Sequence, residues 1–397
     1  MRSVAIAIVC AYAATAAAQA PPVRAIGVGE HFACALLESG DVRCWGNGNP
    51  KPTSIGLSGL TALGVGPEHA CAARHDGVWC WGGNRDGKLG DGTTTDRATP
   101  VKISTLADIV ELVAAEHMTC ARTAAGAVYC WGNADCVGHR TGSSLTPGRV
   151  ALPPATRLVA GDATTCAFLD HAPPRCWGFY NAGLLGDRSG PEIEPVASPV
   201  LAHADALAIG DRHACIAQSG SVWCAGEDQF GQLGDQWVPD DAQCFGADKT
   251  ITCRWRDPVR ATPVPSIPPP GDPPTPPPPP LSEKQFAPRL GYTAAKLEPR
   301  AKPTGLAAGN GRTCAITADS TVLCWGQWYL DDWAHHIPHE IAGTKGAVAV
   351  AVTEYFGCAL LADHSVRCWG SNESGELGNG SIATSLMPSN TAEPVRW

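Results

Sequence analysis

The chain has 397 residues, enough for two or three ordinary domains or for one large closed β architecture. Hydrophobic residues make up 44%, which excludes general disorder, whereas charged residues, at 17%, are too sparse for coiled coils or long solvent-facing helices. The 29 basic and 38 acidic side chains give a net charge of −9, so the chain lacks the basic footprint that a nucleic-acid partner requires.

Residues 1–18 have the features of a secretory signal peptide. Arg2 precedes an apolar run, Val4–Ala18, that is too short to span a bilayer, and cleavage is expected before Gln19. Lipid modification of Cys10 is an alternative, although the apolar run continues beyond it. The 18 cysteines suit an oxidising compartment. We therefore expect a secreted or cell-envelope protein, periplasmic or extracellular, without a membrane span.

One unit with two cysteines recurs seven times after this segment. Within a pair the cysteines are nine or ten residues apart, and most neighbouring units are 37 to 49 residues apart. The step from Cys215 to Cys314 is 99 residues, which predicts an insertion. In chain order the pairs are Cys34 and Cys44, Cys71 and Cys80, Cys120 and Cys130, Cys166 and Cys176, Cys215 and Cys224, Cys314 and Cys324, and Cys358 and Cys368.

Each unit predicts a β-hairpin closed by its cysteine pair. A short apolar stretch, a polar turn such as Ser39-Gly40, and a second stretch with β-branched and aromatic residues fit the hairpin pattern. With a loop of about two or three residues, this spacing places the cysteines directly opposite each other, near the short end of disulfide range. Seven disulfides are expected, each stabilising its hairpin by about 2–3 kcal/mol in the chain-entropy model. Zinc binding is the alternative, but zinc-ligand cysteines are usually closer in sequence.

A Gly-x-Leu-Gly turn follows most hairpins, at residues 87–90, 183–186, 231–234 and 375–378. A proline-led strand often comes next, as in Thr99–Ile103, and a further strand such as Ile109–Val113 leads into the next hairpin. Four strands per unit, repeated seven times, predict an all-β fold, a seven-bladed β-propeller of four-stranded blades.

These units resemble the regulator of chromosome condensation repeat family. The resemblance lies in the aliphatic hairpin, its terminal Trp-Gly, the Gly-x-Leu-Gly turn and the count of seven, and it covers almost all of residues 19–397. It implies that family's seven-bladed propeller, and the paired cysteines indicate a secreted bacterial variant. Residues 393–397 match a proline-led strand with no strand after it, and Val23–Gly27 supplies one. The N- and C-terminal strands are therefore expected to share one blade.

Recurring tryptophans and histidines are expected to be structural. Six units place a tryptophan after the second cysteine, where the fifth unit has Ala225, and we expect these side chains to pack between blades. His69 and His213 lie two residues before the first cysteine of their pairs, but His31 and His117 lie three before it. A metal or catalytic ring would need equivalent placement, so hydrogen bonding within turns is expected. The tryptophans are Trp45, Trp81, Trp131, Trp177, Trp325 and Trp369.

The gap between the fifth and sixth hairpins contains two segments. Because Arg260–Val264 matches Arg97–Val101 of the second unit, residues 236–259 are predicted to be an insertion inside blade 5. Residues 263–305 are then a proline-rich segment between blades 5 and 6. Its first part, residues 263–280, is typical of extended polyproline II and predicts a spacer or surface loop.

The insertion also supplies a candidate binding site. Cys244 and Cys253 are again nine residues apart and predict a stapled hairpin standing off one face. Aromatic and arginine side chains on a rigid loop are typical of interface anchors, and the alternative is a loop that only packs on the rim. The candidate binding residues are Trp237, Phe245, Arg254, Trp255 and Arg256, joined by Trp328, Tyr329 and Trp333 of blade 6.

Two further features have a chemical and a structural interpretation. In blade 6, His336 and His339 could hold a transition metal, but Pro338 interrupts a common helical face, so a polar surface loop is expected. Cys136 is left over once Cys10 is removed and eight pairs form. It predicts a thiol that could pair with another chain, or a nucleophile with His139 as its local base.

Three functions compete at this point. An extracellular scaffold that binds a protein or other macromolecule through loops on one face is favoured, because the chain shows none of the usual catalytic motifs. Guanine-nucleotide exchange is implied by the family resemblance, but a secreted chain would lie away from a cytosolic GTPase. A polysaccharide-active enzyme needs converging carboxylates, and none is expected at matching positions of the repeat. The prediction is a non-enzymatic monomer with no cofactor.

Overall fold

Seven antiparallel sheets of four strands each follow one another around a ring in the computed structural model. The structure describes residues 20–104, 106–138, 144–178, 192–198, 200–218, 220–226, 230–234, 243–245, 252–254, 293–294, 303–327, 338–383 and 389–397. This architecture confirms the predicted seven-bladed all-β propeller. Within the described residues, no helix is long and apolar enough to cross a membrane.

The first three blades are continuous in sequence. Blade 1 contains β1 (Val23–Val28), β2 (Phe32–Leu37), β3 (Val42–Gly46) and β4 (Asn49–Ser54). Blade 2 contains β5 (Ala62–Val65), β6 (His69–Arg74), β7 (Gly77–Gly82) and β8 (Arg97–Ser104). Blade 3 contains β9 (Ile109–Ala114), β10 (Met118–Thr123), β11 (Val128–Gly132) and β12 (Gly148–Arg149).

Blade 4 contains β13 (Ala155–Gly161), β14 (Thr164–Leu169), β15 (Arg175–Gly178) and β16 (Glu192–Ala197), and a 3₁₀ helix, Val200–His203, follows it. Blade 5 contains β17 (Ala206–Ile209), β18 (His213–Gln218) and β19 (Ser221–Gly226), then a separate pair, β20 (Gln243–Phe245) and β21 (Thr252–Arg254), and finally β22 (Thr293–Ala294). Blade 6 contains β23 (Gly305–Gly309), β24 (Arg312–Ile316), β25 (Val322–Gly326) and β26 (His339–Glu340). Blade 7 contains β27 (Ala347–Val352), β28 (Phe356–Leu361), β29 (Val366–Gly370) and β30 (Ser389–Pro394).

The first strand of every blade lies at the sheet edge nearest the ring axis, where it contacts the first strands of both neighbours. The second strands lie between adjacent blades and are therefore buried on both faces. In β2, β18 and β28 every residue is buried. Burial on both faces explains why these strands are almost continuously apolar instead of alternating.

Seven disulfides join the second and third strands of the blades, as predicted. In each hairpin the two cysteines face each other directly, as Cys34 faces Cys44, and their Cα atoms lie 4.0–4.1 Å apart. Cys244 and Cys253 are also opposed in the backbone register of β20 and β21, but their side chains lie outside the described residues. Closed disulfides of this number indicate an oxidising environment.

A shared carbonyl acceptor joins neighbouring blades. The Lys88 carbonyl oxygen, in the Gly-x-Leu-Gly turn of blade 2, accepts hydrogen bonds of 2.9 Å from Trp131 Nε1 and from Thr119 Oγ1 of blade 3. Gly90 ends this turn with φ +74°, and a Cβ there would lie 2.7 Å from the Trp131 ring, so glycine is required. Gln232 and Glu376 provide the same carbonyl at later junctions. The predicted packing of the tryptophans between blades is confirmed.

Two of the recurring histidines lie at these junctions. Because the Thr119 hydroxyl donates to Lys88, it accepts from His69 Nε2, 2.7 Å away in the preceding blade. His213 and Thr313 repeat this bond at 2.7 Å between blades 5 and 6. The prediction of hydrogen bonding within turns was therefore wrong for His69 and His213, because their rings reach across to the next blade.

The ring closes without a shared blade, so that prediction was wrong. Blade 1 begins with β1 and blade 7 ends with β30, and each sheet is complete from one continuous stretch. Closure comes from side-by-side packing: Val23 N donates to His364 O at 3.1 Å, and Trp397 meets the Trp45 ring edge-on at 6.0 Å. The error arose because a cyclic repeat does not reveal in sequence where one blade stops and the next starts.

Blade 5 also differs from its prediction. Its outer strand is Thr293–Ala294, paired with Trp223–Cys224, whereas Arg260–Val264 was expected there and lies outside the described residues. The chain therefore returns to blade 5 after residues 263–280, so that the proline-rich segment does not simply join blades 5 and 6. An outer strand pairs on one edge only and needs few hydrogen bonds, so its sequence is weakly specified.

Candidate functional site

Carboxylates recur at the position four residues before the first cysteine of the hairpins. This position lies between the first and second strands of each blade, at one end of the central channel, and in all seven blades it lines the channel. Five of the seven residues are acidic. They are Glu30, Glu116, Asp162, Asp211 and Glu354, and the other two positions hold Pro67 and Asn310. We call these five carboxylates the acidic mouth.

Tight turns hold these side chains in place. In blade 1 the Gly29 N–H donates to the Phe32 carbonyl at 2.7 Å, which leaves Glu30 and His31 as the two central residues of the turn. The same bond, at 2.9 Å, places Glu116 in blade 3, Asp211 in blade 5 and Glu354 in blade 7. Two-residue turns between twisted strands leave little freedom, so the carboxylates are presented on rigid elements.

The carboxylates of the acidic mouth influence one another electrostatically. Burial, followed by the charges of Asp162, Glu116 and Glu354, raises the pKa of Asp211 from 3.8 to about 7. Burial, together with the charge of Glu116, also raises the pKa of Asp162. The pKa of Glu354 is raised chiefly by burial, with a contribution from Glu30. Like charges held together in a partly buried site produce shifts in this direction.

Positive groups near the acidic mouth only partly offset its charge. His117 Nδ1 lies 2.8 Å from Asp86 Oδ2, and its Nε2 lies 3.7 Å from Asp162 Oδ1. The charge of Arg212 lowers the pKa values of Asp162 and Asp211, but it is outweighed by burial and by the other carboxylates. The buried Lys88 ammonium is engaged by Glu68 Oε2 at 2.9 Å and by the Glu116 carbonyl at 3.0 Å.

The channel, with the acidic mouth included, is a cavity of about 590 Å³. Its walls are the first strands, β1, β5, β9, β13, β17, β23 and β27, which contribute mainly Gly, Ala, Val, Leu and Ile. Gly64 allows close approach of neighbouring walls, since a Cβ there would lie 3.0 Å from the Leu112 backbone. The volume falls in the range of small-molecule pockets, roughly 300–1,000 Å³.

The expectation that the repeat supplies no converging carboxylates at matching positions was wrong. The signal was present in the sequence as an acidic residue four positions before the first cysteine in five units. Each such residue on its own has the appearance of ordinary turn chemistry. Only the ring, which brings seven equivalent turns around one axis, turns them into a common site.

The predicted binding residues fall almost entirely outside the described part of the chain. This applies to Trp237, Trp255, Arg256, Trp328, Tyr329 and Trp333, and for Phe245 and Arg254 only the backbone of β20 and β21 is described. Both segments that carry them leave their blades on the face of the acidic mouth. Gly226 and Gly326, where β19 and β25 end, pair with His213 and Arg312, which follow the mouth turns directly.

The other chemical candidates gain no site in the described part of the chain. No group of three His, Cys, Asp or Glu residues there could hold a metal ion, and His336 lies outside it. The Cys136 side chain is 3% exposed and packs in the cluster around Trp177. Pairing with another chain would need an accessible thiol, so burial argues against that prediction. His139 lies outside the described residues.

Comparison with protein-family models assigns the repeats. Models described as "Regulator of chromosome condensation (RCC1) repeat" match residues 75–122, 23–49 and 347–376. These stretches of the chain are regulator of chromosome condensation repeats. The matched residues contain β1 to β3 of blade 1, β27 to β29 of blade 7, and the stretch from β7 of blade 2 into β10 of blade 3. They include the turns that carry Glu30, Glu116 and Glu354.

Curated relatives and solved structures are similar to this chain. The ultraviolet-B receptor UVR8 of Arabidopsis thaliana is 31% identical over 282 residues, which are 61% of this chain and 64% of UVR8. The mouse (Mus musculus) regulator of chromosome condensation is 30% identical over 165 residues, 37% of this chain and 38% of that protein. The chain therefore spans less than two thirds of either relative. Among solved structures, Prp20p from Saccharomyces cerevisiae is similar with a TM-score of 0.64 at 17% identity, covering 95% of this chain and 87% of that one, which shows a shared fold.

Proposed function

We propose that this protein is an extracellular, non-enzymatic scaffold that binds another protein through the face of the acidic mouth. The observation that carries this proposal is the convergence of five carboxylates on one face of a disulfide-stapled ring. A rigid ring presents its loops without losing much conformational entropy on binding, which favours affinity. The partner would be a macromolecule of the extracellular space or cell envelope.

The topology of the blades supports the choice of face. In each blade the turn between the first two strands and the connection between the last two lie at the same end of the sheet. β19 and β25 therefore end on the face of the acidic mouth, so the chain leaves blades 5 and 6 on that face. Variable loops around a charged centre are typical of binding surfaces on rigid scaffolds.

The charge of the acidic mouth defines the chemistry of the partner. Burial, followed by the charges of Asp162, Glu116 and Glu354, raises the pKa of Asp211 to about 7. A surface carrying lysine or arginine would relieve this repulsion, and complementary charge accelerates association and selects partners. A basic protein surface is therefore the proposed binding partner.

Affinity capture from culture supernatant and cell envelope tests this proposal. The bait is residues 19–397, compared with a double variant, Asp162→Asn with Asp211→Asn. A matched control, Glu38→Gln with Asp170→Asn, removes the same charge from exposed turns at the opposite end of the blades. We expect a partner that is captured by the unmodified chain and the control but lost by at least tenfold in the mouth variant, with salt weakening the capture.

Three results would count against the proposal. Equal capture by all three baits would exclude the acidic mouth as the binding surface. Loss in the control alone would assign binding to the opposite face. No partner with any folded and oxidised bait would contradict the scaffold function itself.

Polysaccharide hydrolysis is a second candidate, and Asp211 is the observation that favours it. A carboxyl group with a pKa of about 7, beside the Asp162 carboxyl, could act as a general acid in a two-carboxylate mechanism. Tyr355 is the only aromatic residue among the described residues that line the channel, so little aromatic surface is available for a sugar ring. Turnover of any glycan that Asp211→Asn abolishes would support this candidate over the scaffold.

A further inference from the structure

The central channel combines a charged entrance with an apolar interior. A ligand that enters from the acidic mouth first meets Asp162, Asp211 and Glu354, and then the aliphatic and small residues of the first strands. Ile26, Leu63 and Val159 are examples of this lining. A ligand that fits both regions carries a cationic group at one end and an unbranched hydrocarbon chain behind it.

The size of the cavity fits this type of ligand. Its volume of about 590 Å³ lies in the middle of the range for small-molecule pockets, roughly 300–1,000 Å³. Each methylene group that is buried against this wall adds affinity, so a chain of several carbons gains affinity from the wall alone. The wall therefore distinguishes an alkylammonium ion from a simple inorganic cation.

The balance of charged groups around the channel entrance favours the binding of a cation. His117 and Arg212 are the positive side chains that act on Asp162 and Asp211, yet the pKa of Asp211 remains raised to about 7. Lys88 is engaged by the Glu68 carboxylate and the Glu116 carbonyl. The Arg312 guanidinium donates to the Gln327 carbonyl at 3.0 Å, and its charge lowers the pKa of Glu354, but burial outweighs it and that pKa is raised. The cations among the described residues therefore only partly offset the negative charge of the acidic mouth.

We propose that the central channel binds a linear alkylammonium ion, with the ammonium group held at the acidic mouth and the alkyl chain along the first strands. The same chemistry occurs in a free polyamine and in a lysine side chain of a protein partner. In the second case the inference rests on the proposed function. Asp162, Asp211 and Glu354 hold the ammonium group, and the walls of β1, β5, β9 and their counterparts hold the chain.

Calorimetric titration of residues 19–397 with small amines tests the site. The probes are hexylammonium and 1,6-diaminohexane, with 1-hexanol as the uncharged counterpart and tetramethylammonium as a cation without a chain. We expect saturable binding of the two alkylammonium probes and at least tenfold weaker binding of both controls. Asp211→Asn and Asp162→Asn should each weaken the alkylammonium affinity about tenfold, whereas the Glu38→Gln and Asp170→Asn control keeps it.

The source of the ammonium group is distinguished by a further probe, the capped peptide acetyl-Gly-Lys-Gly-amide. Binding of this peptide as tightly as hexylammonium assigns the channel to lysine side chains, and binding of the free amines alone assigns it to polyamines. Equal binding of hexanol and hexylammonium overturns the proposal, as does alkylammonium binding that survives both carboxylate changes. If partner capture depends on the acidic mouth but no amine binds, this inference falls while the proposed function stands.

Discussion

The junction between blades 2 and 3 and the acidic mouth are built from the same repeats but differ in how their polar groups are treated. At the junction, His69, Thr119 and Trp131 are buried and connected to the Lys88 carbonyl through a chain of hydrogen bonds. At the mouth, burial and then the charges of the other carboxylates raise the pKa of Asp211. The buried polar groups of the junction are hydrogen-bonded to one another, whereas the acidic mouth holds like charges together.

The two regions consequently respond to pH in opposite directions. Burial, then the charge of Lys88, lowers the pKa of His69 to about 3. Below about pH 6.5 the His69 ring is therefore protonated in the unfolded chain but still neutral in the folded protein. Stability at the junction is therefore lost as the pH falls. Asp211 accepts a proton near pH 7 when folded, but only near pH 4 when unfolded, so its contribution is lost as the pH rises. Like charges held close together in an otherwise stable fold are typical of a functional site.

The largest effect on stability is expected from a substitution at the junction between blades 2 and 3. Trp131→Ala removes a fully buried indole and its hydrogen bond to the Lys88 carbonyl, and should lower the free energy of unfolding by about 3–5 kcal/mol. The matched control is Trp81→Ala, because Trp81 holds the equivalent position but is only partly buried. Chemical denaturation of both variants measures the difference. Equal losses would mean that the carbonyl-centred junction adds nothing beyond ordinary packing.

A smaller effect on stability is expected from the titration of His69 at the same junction. Below pH 6.5 the protonated unfolded state competes with the neutral, buried His69, so unmodified protein should lose about 2 kcal/mol at this residue between pH 7 and pH 5. His69→Gln keeps a donor for Thr119 but cannot titrate. Its free energy of unfolding should therefore fall less steeply over this interval, as followed by denaturation at several pH values. Parallel curves for the two proteins would show that His69 carries no depressed pKa.

Local features of the fold were predictable from sequence because their causes are local. Cysteines nine or ten residues apart in a hairpin must face each other, so the pairing of Cys34 with Cys44 required no knowledge of the ring. The boundary between blades was not predictable, because Val23–Val28 has the same pattern whether it begins blade 1 or completes blade 7. The outer strand of blade 5 was missed since Thr293–Ala294 is short and carries no proline-led signature.

The candidate site could not be predicted from single repeats, because its residues come together only when the ring closes. Glu30 and Glu354 are 324 residues apart in sequence, yet they occupy equivalent turns of adjacent blades and line the same channel. A repeat-by-repeat view finds only a turn residue at each place. The aromatic and arginine residues of 236–259 were predicted to bind a partner because of their residue types. Their side chains lie outside the described part of the chain.

An NMR titration of the Asp211 carboxyl group, assigned by its loss in Asp211→Asn, tests directly whether the channel entrance acts as one acidic site. We expect a midpoint near pH 7 in the unmodified protein, because burial and the neighbouring carboxylates disfavour the charged form. In Asp162→Asn the midpoint should move towards the ordinary aspartate value. A midpoint near pH 4, or one that Asp162→Asn leaves unchanged, would contradict the claim that the channel entrance acts as one acidic site.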